Sequence, residues 1–166
     1  LRCTAGNPRT RLTSTQIEAF STSQVQAFSA TSLSALDAPQ TAALKATQIA
    51  ALTNTEIAGL DETDIGELAA SQVAALTATQ IAALTNDAAS ALEADQVAAL
   101  NATQVKAFTT TQIGAMDSTD IAELSAAQLA ALQISQIAAL TSGNIADLNE
   151  TQIAAFTATQ MKSFSA

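Results

Sequence analysis

An eight-residue period runs from Thr13 to Phe164 without insertion or deletion, and it limits the possible folds of this chain more than any other property. Nineteen units, among them TSTQIEAF, KATQIAAL and NETQIAAF, share one pattern. An octad is too short to bury a core of its own, so tandem units of this kind gain stability only by stacking on their neighbours. The period therefore predicts a solenoid.

Two columns of the repeat are apolar. The eighth position is Leu, Phe or Met in every unit, and the fifth is Ile, Val, Leu or Met except at Thr41 and Ala89. These two columns are predicted to form the buried face, because apolar side chains at fixed places in a repeat line a shared core.

The start of each unit has the pattern of a helix N-terminus. The first position is Ser, Thr, Asp or Asn in fifteen of nineteen units, and the fourth is usually Gln, as at Gln16 and Gln48. This spacing is that of a capping box, in which each of the two side chains pairs with the other residue's amide. The apolar residues before the cap and four places after it have the spacing of a hydrophobic staple. Each octad is therefore expected to begin its own helix.

A single continuous helix is the competing interpretation. Eight residues at 3.6 per turn rotate about 800°, so the apolar stripe would drift by roughly 80° per octad. Pro39 lies at the third position of its unit, where a helix start tolerates it. We expect an all-α solenoid over residues 13–164 with one very short helix per octad. The handedness and the number of octads per turn stay open at this stage.

Unusual residues recur 56 positions apart, as in Asp61 with Asp117, Lys106 with Lys162 and Phe108 with Phe164. Seven octads thus form a super-repeat. Gene duplication explains this recurrence, and so does a solenoid in which seven octads make a whole number of turns.

The charge balance disfavours several partners. Fifteen acidic and six basic residues give a net charge of -9, which opposes binding to nucleic acid and to anionic lipid. No apolar run approaches the roughly 20 residues that a membrane helix needs, so membrane insertion is not expected. Eleven of the acidic residues lie in positions one to four, where they favour helix starts, and we expect no metal or cofactor.

Catalysis is not expected either. The chain has no His and one Cys, which excludes Ser-His-Asp triads and thiol–imidazole pairs. Asp61 and Asp64 are close enough in sequence for acid–base work, but they belong to a repeated cap.

Residues 1–12, LRCTAGNPRTRL, fall outside the period, and residues 165–166 follow it. We expect the first segment to be a loose terminus or an arm that docks onto another copy of the protein. The last unit, TATQMKSF, keeps its apolar residues, whereas terminal repeats of solenoids are usually polar. The predicted subunit joint therefore consists of Arg2, Cys3, Arg9, Arg11, Met161 and Phe164.

The motif Thr-x-x-Gln-Ile/Val-x-Ala-Leu, as in TATQIAALTNDAASALEADQVAAL, resembles the tandem octapeptide arrays of large bacterial surface proteins described as adhesin-like. The resemblance covers about nine-tenths of the chain. It implies an extracellular or cell-surface structural protein without catalytic residues, forming a stalk or joining end to end with copies of itself into a filament.

A binding module is the alternative. The third column supplies a regular array of hydroxyl groups that could face a glycan, a protein of a host or cell surface, or ice. Besides Thr15, this surface-binding ladder comprises Thr47, Thr55, Thr63, Thr79, Thr103, Thr111, Thr119, Thr151 and Thr159.

Overall fold

A computed structural model describes residues 12–164, which contain nineteen short α-helices and no strand. The all-α prediction, with one helix per octad, is confirmed. The helices are α1 Ser14–Glu18, α2 Thr22–Val25, α3 Ala30–Leu33, α4 Ala38–Ala42, α5 Ala46–Ala51, α6 Asn54–Ile57, α7 Glu62–Gly66, α8 Ala70–Val73, α9 Ala78–Ala83, α10 Asn86–Ser90, α11 Ala94–Ala99, α12 Ala102–Ala107, α13 Thr110–Ala115, α14 Ser118–Glu123, α15 Ala126–Ala131, α16 Ile134–Ile137, α17 Ser142–Ala146, α18 Glu150–Ala154 and α19 Ala158–Met161.

The predicted caps define the helix starts. In each of the fifteen octads that begin with Ser, Thr, Asp or Asn, that side chain accepts a backbone N–H from the first turn. The helices then end within four to six residues. In α5, for example, Leu52 at position eight bonds back to the carbonyl of Ile49, with φ -59° and ψ 144°. The extended residue at position eight thus directs the chain into the next cap.

The helices wind into a superhelix. The main helix–helix contacts join helices three places apart, so that α8 packs on α5 below and α11 above. Glutamine side chains connect successive turns, reaching carbonyls 28 and 31 residues earlier. Because the helix contacts lie three octads apart and the glutamine bonds reach the fourth octad back, one turn takes between three and four octads. Seven octads, the length of the super-repeat, therefore span about two turns.

The fifth and eighth positions form one continuous core, as the sequence predicts. Ile17, Ile49, Ile81 and Ile113 at position five are fully buried, and the leucines at position eight are nearly so except for the partly buried Leu140. Each buried Ile or Leu contributes about 1.5–3 kcal/mol. Thr41 and Ala89, the two exceptions at position five, border small cavities of about 10 Å³ each, room for one water at most.

At the start of the described range, Leu12 takes the place of an eighth position. It packs against the core, and its carbonyl accepts a hydrogen bond from the Gln40 side chain. Residues 1–11 and 165–166 lie outside the described residues.

Candidate functional site: the glutamine ladder between turns

A third column of the repeat is buried, in addition to the two that the sequence predicts. The side chain at position four is buried in most octads, and that of Gln48 is only 1% exposed. The buried residues of this column are Gln40, Gln48, Glu56, Gln72, Gln80, Ala88, Gln96, Gln104, Gln112, Gln128, Gln136, Asn144, Gln152 and Gln160. We call this column the glutamine ladder.

Each residue of this column is called a rung, and each glutamine rung uses both the Oε1 and the Nε2 atom of its side-chain amide. The Oε1 atom of Gln48 accepts the backbone N–H of Lys45 at 2.6 Å, which completes the helix start. Its Nε2 donates to the carbonyls of Ile17 at 2.9 Å and Phe20 at 2.8 Å in the turn below. One side chain therefore caps its own helix and also binds the previous turn.

The same geometry recurs along the solenoid. Gln80 binds the carbonyls of Ile49 and Leu52, and Gln112 binds those of Ile81 and Leu84, at 2.8–2.9 Å. The carbonyls of Ile49 and Ile81 also accept the N–H groups of Leu52 and Leu84, so the rung adds a second bond to them. The carbonyls of Leu52 and Leu84 follow the helix ends, where the helical hydrogen-bond pattern stops. Because buried polar groups are costly to leave unpaired, each rung satisfies a position-eight carbonyl that close stacking would otherwise leave without a partner.

Glu56 interrupts the donor pattern. Its Oε2 accepts the N–H of Thr53 at 2.6 Å, as a Gln Oε1 would. Its Oε1 is buried without a hydrogen-bond partner. Because rungs such as Gln48 and Gln80 bind carbonyls 28 and 31 residues earlier, the register places the carbonyls of Phe28 and Val25 opposite this atom. A carboxylate oxygen therefore stands where the other rungs have a donor.

Two further rungs are aspartates, one super-repeat apart. Asp64 and Asp120 accept the N–H groups of Asp61 and Asp117, and they border the two small cavities in the core. Asp61 in turn accepts the N–H of Asp64, so the predicted carboxylate pair forms a reciprocal cap. An Asp side chain is one methylene shorter than Gln and carries no N–H, so this rung lacks the donor to the turn below.

The two aspartate octads also concentrate negative charge. Burial raises the pKa of Asp64, the hydrogen bond from the Asp61 amide opposes this, and the charges of Asp61 and Glu67 raise the pKa further. Burial likewise raises the pKa of Asp120, the hydrogen bond from the Asp117 amide opposes this, and the charge of Asp117 adds to the rise.

The glutamates at position seven of these two octads are also affected by burial. Glu67 and Glu123 each have one buried carboxylate oxygen without a partner. Burial raises the pKa of Glu123, with further contributions from Asp120, Asp117 and Glu93 in the turn below. The carboxylates of adjacent turns are therefore close enough to repel one another.

Within residues 12–164, no three or more acidic or thiol side chains are arranged to hold a metal ion.

The ladder is open at both ends of the described range. Gln16 and Gln24 in the first turn are exposed, and their Oε1 atoms accept cap N–H groups at 2.8 and 2.9 Å. Neither side chain has a carbonyl 28 residues earlier among the described residues. In the last turn, the carbonyls of Leu140, Leu148 and Phe156 have no rung one turn later among the described residues.

The predicted joint residues lie in different settings. Met161 is 45% exposed, whereas Phe164 is half-buried and packs edge-on against Phe156 with ring centroids 5.1 Å apart. Arg2, Cys3, Arg9 and Arg11 lie outside the described residues, so the structure does not place them beside the other two.

The threonines of the predicted surface-binding ladder are all exposed. They lie at the third position of octads along the solenoid, and their role in binding stays a prediction.

The sequence contains a signal for the glutamine ladder. Glu suits the fourth position of a capping box as well as Gln does, and the helix dipole favours its charge. Gln nevertheless predominates in this column of an acidic protein. An amide is needed there only if its N–H₂ group is used.

Residues 89–126 and 114–150 each match the ALTTAQ repeat family. No curated protein and no solved structure shows significant similarity to the chain. None of the described helices is long and apolar enough to cross a membrane. The sequence period, the stacked helices and the two tandem matches together identify the chain as a repeat protein, similar over residues 89–150 to the ALTTAQ repeat family.

Proposed function

We propose that this protein is a structural, non-catalytic component of an extracellular assembly, in which solenoids join end to end into a filament or form the stalk of an adhesin-like surface protein. The observation that carries the proposal is the glutamine ladder, whose glutamines bond successive turns in a recurring geometry. A solenoid with recurring contacts between turns can extend without a limit on its length.

The side-chain chemistry supports the same proposal. The oxygens of Asp61 and Asp64 that face each other's amides are used in capping bonds, and the two small core cavities that Asp64 and Asp120 border have room for one water at most. The recurring geometry of the repeat is used to hold turns together, which is what a rod requires. The resemblance to bacterial surface arrays supports the extracellular setting.

Negative-stain electron microscopy of the purified chain over a range of concentrations tests the proposal. We expect rods that lengthen as the concentration rises. Single solenoids of constant length at every concentration would contradict end-to-end assembly and leave only the stalk.

A second sample beginning at Leu12 tests the predicted arm while keeping the carbonyl that Gln40 binds. Loss of fibres in this sample would assign the joint to the segment that contains Arg2, Cys3, Arg9 and Arg11. Unchanged fibres would place the joint elsewhere.

A further inference from the structure

The octad at residues 85–92, which contains α10, lacks every bond that the glutamine ladder supplies elsewhere. Its position four is Ala88, which has no amide to donate to the turn below. By the spacing of 28 and 31 residues, the rung opposite its own end carbonyls is Asp120, which carries no N–H. Among the described residues, no hydrogen bond joins residues 85–92 to another turn.

The preceding octad, residues 77–84, shows what is missing. Both octads begin with a Thr cap, Thr77 in one and Thr85 in the other. In the first of them, Gln80 binds the turn below, and the end carbonyls accept Gln112 from the turn above. The two octads therefore differ in their bonds between turns more than in their helix starts.

One other interior octad, residues 53–60, is without such bonds. Glu56 carries no donor, and the residue in register above this octad is Ala88. It nevertheless keeps a large buried side chain at position five, Ile57. Each of the other octads within residues 45–132 is bonded by a rung to at least one neighbouring turn.

The core is also weakest around α10. Ala89 stands at position five, so Leu92 is the only large apolar side chain that this octad buries. Both residues border one of the small core cavities. The bond that closes α9, from the Leu84 N–H to the Ile81 carbonyl, has no counterpart at Leu92. The octad is therefore held by fewer polar and fewer apolar contacts than its neighbours.

This weak position recurs at the interval of the super-repeat. Ser32 lies 56 residues before Ala88, and Asn144 lies 56 residues after it. The Ser32 hydroxyl pairs with that of Ser29 in its own cap. Asn144 reaches the turn below at one carbonyl, that of Met116, at 3.1 Å. A side chain shorter than Gln thus recurs at this place in every seventh octad.

We propose that residues 85–92 form a yielding segment, which opens as a unit from the folded solenoid while the glutamine bonds beside it keep the adjoining turns together. Gln96, Gln104 and Gln112 bind the turn below in the three octads that precede the segment, so its opening leaves those bonds in place. Local opening occurs where a segment buries little apolar surface and has few bonds to its surroundings.

The yielding segment is a property of a single solenoid and does not depend on end-to-end assembly. In a stalk, it would let the rod lengthen under tension before the remaining turns unfold, because the bonds between those turns are more numerous.

Hydrogen exchange of the purified chain, resolved by octad with mass spectrometry, tests the proposal. The amides at position five are matched reporters, because Ala89 and Ile81 donate to the carbonyls of their Thr caps at 2.9 and 3.0 Å. We expect the yielding segment to exchange at least about tenfold faster than the preceding octad, after correction for intrinsic rates. Its exchange should be nearly independent of urea below the unfolding transition, because local opening exposes little surface.

Three variants test the physical cause. Ala88→Gln supplies the missing amide in register with the carbonyls of Ile57 and Leu60, and it should slow exchange in the yielding segment about tenfold. The matched control, Asn86→Gln, adds the same side chain at an exposed position of the same octad and should change exchange by less than about twofold. Gln80→Ala makes the converse change and should speed exchange in its own octad about tenfold.

Equal exchange in the two octads of the wild-type protein would overturn the proposal, and so would a urea dependence as steep in the yielding segment as in the preceding octad. If Ala88→Gln fails to fold, Gln80→Ala decides: faster exchange in its octad supports the assigned cause, and unchanged exchange overturns it. None of these measurements involves fibres, so failure of the assembly proposal and failure of the yielding segment are distinguishable.

Discussion

At the residue scale, the choice between an amide and a carboxylate at position four decides whether a turn is bonded to its predecessor. Both groups complete the capping box, as Gln48 does toward Lys45 and Glu56 toward Thr53. Only the amide also donates to the turn below. The residue at position four is therefore polar because it caps its own helix, and it is an amide because it also donates to the previous turn.

Replacing Glu56 by Gln should stabilise the protein. Glu56 is only 4% exposed, and its Oε1 atom is buried without a hydrogen-bond partner. The change replaces this oxygen by an amide group that can donate to the carbonyls of Phe28 and Val25. We expect the free energy of unfolding to rise by about 1–3 kcal/mol, measured by urea unfolding with circular dichroism. Glu62→Gln removes the same charge at an exposed position and should change it by less than about 0.5 kcal/mol. Equal effects of the two changes would contradict the assigned register.

The aspartate rungs make stability depend on pH. The pKa values of Asp64, Asp120 and Glu123 are raised in the folded protein, so the folded state binds more protons than the unfolded state. Their contribution is fully present below the ordinary values of 3.8 for Asp and 4.5 for Glu and is lost as pH rises through the higher folded-state values.

We therefore expect the free energy of unfolding to decline as pH rises from about 4 toward neutrality. The triple variant Asp64→Asn/Asp120→Asn/Glu123→Gln should show a shallower decline, measured by urea unfolding at a series of pH values. A control that neutralises Glu62, Asp95 and Glu150 removes the same net charge from exposed positions. A decline that is equally shallow in this control would attribute the pH dependence to net charge alone.

At the scale of the helix, the elements are too short to be stable alone. Four to six residues form too few hydrogen bonds to offset the free-energy cost of helix nucleation. Caps define where each helix begins, and packing on the third neighbour keeps it folded. The fit between stacked helices is therefore as important as the propensity within them.

Two glycines in adjacent octads distinguish the effect of the fit between stacked helices from that of backbone propensity. A Cβ atom added at Gly59 would lie 2.4 Å from the Cβ of Ala30 in the helix below, whereas one at Gly66 would meet nothing within 4 Å. Gly59→Ala should cost about 1–3 kcal/mol through overpacking. Gly66→Ala should stabilise by about 0.4–1 kcal/mol, because Ala restricts the unfolded chain. Thermal unfolding of the two variants checks the opposite signs, and destabilisation by both would show that propensity and stacking are not separable here.

At the scale of the whole molecule, the solenoid is a one-dimensional stack in which each turn contacts only its neighbours. Seven octads, the length of the super-repeat, span about two turns of this stack.

Inserting a second copy of residues 53–108 directly after Phe108 should give a longer and more stable solenoid. The insert adds about two turns with their rungs and core, and stability grows with each interface between neighbours. We expect the urea midpoint and the denaturant slope to increase. An insertion of half an octad at the same place displaces the rungs from their carbonyls and should lower the midpoint. A fall in both proteins would contradict the assigned length of the turn.

Much of the architecture could be predicted from the sequence alone. The helix starts, the all-α class and the apolar columns at positions five and eight follow from the octad pattern, and even Pro39 lies where its cap tolerates it. The same pattern identifies the glutamine ladder only as a local cap. The second bond of each Gln joins residues 28 and 31 positions apart, and no pattern within an octad contains that distance.

The short helices and their buried faces are specified within the sequence, because capping boxes and hydrophobic staples act within four residues. Tertiary packing sets how many octads make a turn, which carbonyls each Gln binds, and that Glu56, Asp64 and Asp120 break the ladder. These properties depend on the winding of the superhelix, which arises from the packing of every helix on its third neighbour and is not encoded in any single repeat.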